Sequence, residues 1–248
     1  MTQSEIRELE ELSLSAWPAD TELRLDGWTL RFTRGYTRRA NSVHPLHEST
    51  KPAAQKVREC EQLYLAHNLP TIFKVTSAAI PGNLDAVLET AGYRRDSGAN
   101  VLTCSLTAIP PMTQETRVEN TPVSQWIAAL MRFGYVSEKN ALILASIVGR
   151  ITNPICCAMV SENNEPIATG LGVLQGPWLG LFDIVTSPAH RGRGNGSAVV
   201  QSLLDWGQSQ GAQRAYLQVV PGNTPAERLY AKFGFIQAYE YWYRVAVG

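Results

Sequence analysis

Hydrophobic residues recur along this chain with two periods, and the two periods divide it into predicted helices and strands. Apolar side chains three and four positions apart are typical of a helix with one buried face, whereas short alternating or continuous apolar runs are typical of strands. The predicted helices are 4–17, 51–68, 84–91, 122–133, 138–148, 197–210 and 223–233. The predicted strands are 28–32, 40–46, 71–75, 100–106, 117–120, 154–161, 167–174, 178–186, 215–220 and 237–247. Ser4 and Thr121 are the expected caps of the first and fourth helices, and residues 20–27 are expected to form a turn.

The pattern breaks at residues 107–116, which contain the run Ile-Pro-Pro-Met. Paired prolines interrupt both periods, so we place a domain boundary in this segment. We therefore expect two domains, 1–110 and 111–248, each an α/β fold with a mixed sheet flanked by helices. With 248 residues, 44% of them hydrophobic, the chain is long and apolar enough for two cores.

A weak internal repeat supports the division into two domains. Residues 73–75 and 84–93 match residues 217–219 and 226–235 in the order strand, loop, helix, glycine, aromatic residue, strand. The glycine supplies the left-handed conformation that ends a helix, and the aromatic residue is expected to pack the helix on the sheet. We interpret the chain as two copies of one fold.

Charge and cysteine usage exclude several classes of protein. The 22 basic and 22 acidic side chains give a net charge of zero, and without a long basic run a general nucleic-acid surface is not expected. No apolar run approaches the 18 or more residues of a membrane span, and the acidic N-terminus does not resemble a signal peptide. The four cysteines have no metal-site spacing, so we expect reduced, buried thiols, no metal and a cytoplasmic protein.

The most informative stretch is Thr-Ser-Pro-Ala-His-Arg-Gly-Arg-Gly-Asn-Gly at residues 186–196. It joins the predicted strand 178–186 to the predicted helix that begins at Ser197. Glycines let a backbone approach a ligand closely, a helix N-terminus attracts anions, and Arg191 and Arg193 add positive charge. The stretch therefore predicts a phosphate or pyrophosphate site. It lacks the Gly-Lys-Ser/Thr ending of a P-loop and the G-x-G-x-x-G of a dinucleotide fingerprint.

Two signatures in order give a resemblance to a known family. Arg-x-x-Gly-x-Gly, from Arg191 to Gly196, is followed about 30 residues later by Asn223, Ala226, Leu-Tyr at 229–230 and Gly-Phe at 234–235. This arrangement resembles the GNAT superfamily of acetyl-CoA-dependent N-acetyltransferases. The resemblance covers residue 117 to the C-terminus, and the first half is similar only as a degenerate copy. The run 27–43 also looks like tandem-domain GNAT proteins of bacteria. Before the first-half helix at residue 51 stands His-Glu-Ser-Thr-Lys-Pro instead of the glycine loop, so that copy is expected to bind pyrophosphate poorly.

The resemblance implies a co-substrate and a set of site residues. Acetyl-CoA is expected to enter a V-shaped gap between the strands that end near residues 186 and 220, with the N–H of Val185 polarising the thioester. Tyr230 is the implied acid for the leaving thiolate. Our candidate for the base that deprotonates the amine is Asp183, a carboxylate in an otherwise apolar strand, with Glu240 as the second candidate. The residues expected to bind acetyl-CoA are Ile184, Val185, Thr186, Arg191, Gly192, Arg193, Gly194, Asn195, Gly196, Asn223 and Tyr230.

Several alternatives stay open at this point. The chain fits transfer of another acyl group, a non-catalytic acyl-CoA sensor, or binding of a different phosphate ligand. The acceptor is expected to be an amine on a small molecule or a peptide, and the protein to be a monomer or homodimer. The first domain is expected to shape or cover the acceptor site. Tyr239, Tyr241 and Tyr243 either line a substrate pocket or pack on the sheet. Asn223 binds the ligand, caps its helix or does both. Arg38 and Arg39 are candidates for binding a substrate acid.

Overall fold

A computed structural model describes residues 1–108 and 118–246 of the chain. The helices are α1 (Gln3–Ala16), α2 (Ala53–Ala66), α3 (Leu84–Thr90), α4 (Val123–Arg132), α5 (Glu138–Gly149), α6 (Asn195–Ser209) and α7 (Thr224–Ala231). The strands are β1 (Thr21–Leu25), β2 (Trp28–Phe32), β3 (Val43–Pro45), β4 (Ile72–Thr76), β5 (Arg94–Ser105), β6 (Val118–Asn120), β7 (Ile155–Glu162), β8 (Glu165–Gln175), β9 (Trp178–Thr186), β10 (Arg214–Val219) and β11 (Ile236–Val245).

The described residues form two compact units. The first comprises Met1–Asn100 and residues 238–246, and the second comprises the described part of Val101–Gln237. The predicted domain boundary between residues 110 and 111 lies outside the described residues, as do the predicted strand residues 117 and 247. The tandem-domain interpretation therefore stays a prediction.

In the first unit the strands lie in the order β1-β2-β3-β4-β11. Strands β3 and β4 run parallel, and the other described pairs are antiparallel. The core is built on Trp28, Tyr64 and Phe73, each fully buried. The ring of Phe73 meets those of Trp28 and Tyr93 edge to face, an arrangement that aromatic pairs favour.

In the second unit the strands lie in the order β5-β10-β9-β8-β7-β6. Strands β9 and β10 run parallel, whereas β6, β7, β8 and β9 pair antiparallel with their neighbours. Helix α6 packs on this sheet through Val199, Val200, Leu203 and Leu204, which are fully buried. The mixed α/β fold expected from the sequence is confirmed. Its sheet combines one parallel pair, β9 and β10, with an antiparallel meander of β6 to β9.

The repeated segment is present in both halves. Gly92 and Gly234 both adopt left-handed φ angles, 84° and 74°, after α3 and α7, and the aromatic residues that follow, Tyr93 and Phe235, are both buried. The strand after Tyr93, however, continues into the second unit, where β5 lies beside β10. The strand after Phe235 is β11, which pairs with β4 of the first unit. Residues 94–100 of β5 thus belong to the first unit and residues 101–105 to the second, whereas residues 238–245 of β11 belong to the first.

The structure corrects the sequence-based assignment at four places near the termini of elements. The expected turn at 20–27 contains strand β1, which is paired with β2 from Thr21↔Phe32 to Leu25↔Trp28. Its turn is Asp26-Gly27, with both φ angles positive (43° and 83°), and Asp-Gly between alternating strands is a strong hairpin signal. Helix α1 is capped by Thr2, not by Ser4, because Thr2 and Glu5 form a reciprocal capping box.

The other two corrections have similarly local causes. Helix α4 is preceded by Pro122 at the N-cap position, and the Thr121 hydroxyl donates to the Gln125 side chain instead of capping the helix. Strand β5 begins six residues before the predicted residue 100, at Arg94. Each of the four cysteines is a buried free thiol, as expected for cysteines that act as small hydrophobic residues.

Candidate active site

The glycine-rich loop joins the end of β9 to the start of α6 through a short 3-10 turn, Pro188–His190. Gly192 and Gly194 have φ angles of 75° and 84°, which only glycine adopts without a steric penalty. Gly194 is the N-cap of α6 and provides no capping side chain. The first turn of α6 therefore keeps the unsatisfied N–H groups and positive end of the helix dipole that bind anions.

Two arginines, Arg191 and Arg193, lie in the loop just before the start of α6, and Asn195 stabilises the loop by a hydrogen bond. Arg191 and Arg193 are exposed, and the Arg191 Nε donates to the Thr186 carbonyl at 3.4 Å. The side chain of Asn195 is buried and donates through Nδ2 to the His190 carbonyl at 3.1 Å. The Asn195 side chain thus stabilises the loop, and its backbone N–H belongs to the first turn of α6.

The loop lies next to the end of β9 and to α7. A Cβ atom on Gly196 would be 3.4 Å from the Thr186 Oγ1 and 3.4 Å from the Leu229 Cδ2. The N-terminus of α6 is therefore within van der Waals reach of both elements. This brings residues of the two sequence signatures together, although they are about 30 positions apart.

Strands β9 and β10 are paired only over their first halves. Their parallel ladder runs from Trp178↔Arg214 to Leu181↔Leu217 and ends there among the described residues. Strand β9 continues to Thr186 and β10 to Val219. Beyond this ladder, residues 182–186 and 218–219 lie at the position at which the sequence predicts a V-shaped gap.

A bulge interrupts β9 on its other side. The pairs Thr169↔Val185 and Leu171↔Phe182 leave two β9 residues, Asp183 and Ile184, opposite the single residue Gly170. A Cβ at Gly170 would be 2.4 Å from the Ile184 Cδ1 and 2.8 Å from the Val199 Cγ1, so a larger residue there would require both side chains to move. Bulges bend a strand and redirect its side chains, and this one was not predicted from the sequence.

Asp183 occupies the bulge in a left-handed conformation, with a φ angle of 46°. Non-glycine residues with positive φ are uncommon, and such strain concentrates at functional sites. The hydroxyl of Tyr135 donates to the Asp183 Oδ1 at 3.3 Å. Tyr135 lies between α4 and α5, and sequence analysis did not identify it because nothing in its local pattern distinguishes it from a surface tyrosine.

Tyr230 lies on α7 and is buried, with its ring edge to face against Phe235. Burial, and secondarily the negative charge of Asp183, raise the pKa of Tyr230 to about 12. Tyr230 and Asp183 therefore interact electrostatically within the second unit. Asn223 caps α7, because its side-chain oxygen accepts from the Ala226 N–H at 3.4 Å.

The remaining candidates lie in the first unit. Glu240 is exposed on β11. Tyr239, Tyr241 and Tyr243 are buried, which favours the packing alternative, and the Tyr239 hydroxyl donates to the Glu10 Oε1 at 2.7 Å. Arg38 is paired with Asp96 at 2.9 Å.

The first unit fills the position corresponding to the glycine loop with its own carboxylate. Asp26 accepts hydrogen bonds from the Thr50 N–H at 3.0 Å and the Lys51 N–H at 2.8 Å, immediately before α2. The ammonium of the buried Lys56 lies 3.8 Å from the same carboxylate. These contacts, the backbone hydrogen bonds foremost, lower the pKa of Asp26 to about 2. The Asp26 carboxylate thus occupies the loop that precedes α2, and the expected weak pyrophosphate binding by this copy stays a prediction.

We expect Asp26→Asn to reduce stability in a pH-dependent way. Asparagine tolerates the positive φ at this position, so the variant keeps the turn but loses the charge and one of the two acceptor oxygens that face Thr50 and Lys51. Because the folded-state pKa of Asp26 is below its unfolded value, its contribution is fully present above about pH 4 and is lost as the pH falls towards 2. Urea unfolding between pH 2 and 6 should show the wild-type advantage shrinking with acidification. Asp205→Asn, at an exposed carboxylate, is the control, and an advantage that does not change with pH would contradict the prediction.

Neither a metal-binding cluster nor a membrane-spanning helix is present among the described residues. No group of three or more histidine, cysteine, aspartate or glutamate side chains is placed to hold a metal ion in 1–108 and 118–246. Within the same residues, no helix has the length and apolar character needed to cross a membrane.

Comparison with known proteins identifies the class of protein. The profile of the family described as "Probable histone acetyltransferase Rv0428c C-terminal" matches residues 3–244. The "Uncharacterized N-acetyltransferase YobR" of Bacillus subtilis (strain 168) is 30% identical over 97% of this chain and 98% of its own length. The chain therefore belongs to this family of the GNAT superfamily and is an acetyltransferase.

Two further similarities agree with this assignment. The "Probable histone acetyltransferase Rv0428c" of Mycobacterium tuberculosis is 25% identical over 86% of this chain and 66% of its own length. A "GCN5-related N-acetyltransferase from Kribbella flavida" has the same fold with a TM-score of 0.71, at 15% identity, over 98% of this chain and 95% of that chain. The similarity in fold extends across both units, not only the half that carries the two signatures.

Proposed function

We propose that this acetyltransferase moves an acetyl group from acetyl-CoA to a primary amine, by direct attack of the amine in a ternary complex. The observation that supports this most strongly is the loop 186–196. It places two left-handed glycines and two exposed arginines at an uncapped helix start, beside the bulged end of β9. That combination suits a pyrophosphate flanked by an extended thioester arm.

In this proposal acetyl-CoA follows the second half of β9. The pyrophosphate binds the first-turn N–H groups of α6, Arg191 and Arg193, at the loop that also contains Gly192, Gly194 and Gly196. The pantetheine arm pairs with Ile184–Thr186 as an added strand, where β10 has ceased to pair with β9. The N–H of Val185 donates to the thioester oxygen and stabilises the charge that develops there. The backbone of Asn223, whose side chain caps α7, contacts the arm from the opposite side.

The chemistry requires one proton acceptor and one proton donor. An alkylammonium with a pKa of about 10.4 must lose a proton to become a nucleophile. Asp183 takes that proton, directly or through a water molecule. The amine lone pair then forms a C–N bond to the thioester carbon, the C–S bond breaks, and the leaving thiolate takes the hydroxyl proton of Tyr230. The nitrogen releases its second proton to solvent, so that a neutral amide, free thiol and one proton are the products. Transfer of the proton from Asp183 to the Tyr230 phenolate restores both groups.

The interaction between Asp183 and Tyr230 couples these two proton transfers. A pKa of about 12 keeps Tyr230 protonated but makes it a weak donor to a thiolate whose conjugate acid has a pKa of about 8.5. Part of that elevation comes from the negative charge of Asp183. When Asp183 accepts the amine proton, its charge is neutralised and Tyr230 becomes more acidic. The base therefore strengthens the acid at the stage when the acid is needed.

The acceptor belongs to a broad class, an amine on a small molecule or on a peptide. The name of the Mycobacterium tuberculosis relative indicates a histone acceptor for that protein, so lysine side chains belong among the amines to test. The zero net charge of this chain gives no preference for a strongly charged polymer. We propose a monomer or homodimer with no nucleic-acid partner.

The test is an acetylation assay with a defined amine panel. Purified protein is incubated with acetyl-CoA and, in turn, with lysine amide, spermidine, glucosamine, kanamycin or a histone-tail peptide, and free thiol and acetylated product are both measured. Amine-dependent thiol release with a matching acetyl-amine supports the proposal. Acetyl-CoA binding without thiol release supports the sensor alternative and contradicts the proposed acetyl transfer. Propionyl-CoA and succinyl-CoA in parallel reactions determine the acyl preference.

A further inference from the structure

The loop between α4 and α5 holds Tyr135 in a defined position. Gly134 ends α4 with a φ angle of 71°, and the Tyr135 N–H donates to the Leu130 carbonyl at 3.0 Å. Val136 is buried in the unit. Ser137 then caps α5 by accepting from the Asn140 N–H. The loop is therefore fixed on both sides of Tyr135, whose side chain is 53% exposed.

The hydroxyl of Tyr135 reaches a residue 48 positions away, Asp183 in the β9 bulge, and donates to its Oδ1 at 3.3 Å. This contact joins the α4–α5 loop to the one strand residue with a left-handed backbone in the candidate site. The negative charge of Asp183 also contributes to the raised pKa of the proposed acid Tyr230. Asp183 thus interacts with two phenols, one exposed and one buried.

We propose that Tyr135 is a positioning residue that holds the Asp183 carboxylate in the orientation from which it deprotonates the acceptor amine. This inference rests on the proposed function, since it assigns Tyr135 to the base of that reaction. A hydrogen bond from a phenol to a carboxylate restricts the carboxylate to one rotamer without neutralising it. A base misplaced by about 1 Å loses up to about 100-fold in rate, so Tyr135 affects catalysis without touching the thioester.

The test compares Tyr135→Phe with wild type on two kinds of nucleophile. Tyr135→Phe keeps the ring and removes the hydroxyl of an exposed side chain, so the fold is expected to persist. With the best amine of the panel at pH 7, we expect kcat to fall about 10- to 100-fold and the KM for acetyl-CoA to stay unchanged. With methoxyamine, which is already neutral at pH 7 and needs no base before attack, we expect the variant and wild type to react equally fast.

A pH profile and a double variant separate positioning from a structural role. As the pH rises towards the pKa of the amine, more neutral amine is available, so the deficit of Tyr135→Phe should shrink. Asp183→Asn should show the same selectivity, and Tyr135→Phe/Asp183→Asn should be no slower than Asp183→Asn alone. Tyr93→Phe is the matched control, because it removes a phenol-to-carboxylate hydrogen bond to Glu61 of 3.0 Å in the first unit.

Three results would overturn the inference. One is a Tyr135→Phe variant with unchanged kcat for every amine. Another is an equal loss with methoxyamine and at all pH values, and the third is an additive loss in the double variant. In each of these cases wild type still acetylates amines, so the proposed function survives. If wild type acetylates no amine, the proposed function fails and this inference fails with it. The activity of wild type therefore distinguishes failure of the proposed function from failure of the Tyr135 inference alone.

Discussion

Tyr230→Phe is expected to lower kcat by about 10²–10⁴-fold, the usual contribution of a positioned proton donor, while the Kd for acetyl-CoA stays within twofold of wild type. The ring of Tyr230 packs edge to face with Phe235, and phenylalanine preserves that packing. The variant therefore removes the proton and little else. Steady-state kinetics and calorimetric titration of acetyl-CoA measure the two quantities separately.

Tyr216→Phe provides the control for removing a buried tyrosine hydroxyl from the same unit. The Tyr216 hydroxyl donates to the Gln175 side chain at 2.8 Å, so this variant is expected to lose stability and keep its kcat. Full turnover by Tyr230→Phe would remove Tyr230 from the mechanism. It would leave the acetyltransferase activity itself unaffected, because another group would then protonate the thiolate.

Lys74→Met is expected to destabilise the first unit by about 3–5 kcal/mol, the range for breaking a buried ion pair by removing one partner. The Lys74 ammonium lies 2.6 Å from Glu10, and both side chains are 1% exposed. The same ammonium lies 3.9 Å from the centre of the Tyr241 ring. Methionine fills a similar volume but leaves the Glu10 carboxylate in the core without its counter-ion. Urea denaturation monitored by circular dichroism measures the loss.

Two further variants separate charge from packing in this cluster. Lys74→Met/Glu10→Gln should recover part of the stability, because glutamine is neutral and still accepts the hydrogen bond from Tyr239. Lys51→Met, at the exposed pair with Glu59, should cost less than about 1 kcal/mol. A Lys74→Met loss as small as that of Lys51→Met would show that the buried pair contributes little.

Local chemistry made part of this structure predictable from the sequence. The helix–glycine–aromatic repeats at 84–93 and 226–235 depend on contacts between near neighbours, and both form as expected. The glycine loop is equally local, since a strand, a glycine run and a helix follow one another along the chain. The Asp26-Gly27 hairpin has an equally local signal, although the expectation for residues 20–27 is a single turn.

Long-range pairing accounts for what the sequence did not predict. The division of β5 at residue 100 and the inclusion of β11 residues 238–245 in the first unit depend on which strands pair, and strands with similar apolar patterns do not specify their partners. The bulge at Asp183 follows from the register of β8 against β9, which local sequence patterns do not specify. Tyr135 comes next to Asp183 through the packing of α4 and α5, 48 residues earlier in the chain.

Calorimetric titration of acetyl-CoA into wild type and into Arg191→Ala/Arg193→Ala tests the central claim, that the loop 186–196 binds acetyl-CoA. Loss of two charge-assisted contacts to phosphate should weaken binding by about 10- to 100-fold. Arg58→Ala/Arg94→Ala removes two exposed arginines of the first unit and should bind as wild type does. We predict saturable one-site binding that coenzyme A competes with and NAD does not. Absence of acetyl-CoA binding to wild type, or equal affinity in the Arg191→Ala/Arg193→Ala variant, would contradict the assignment of the loop.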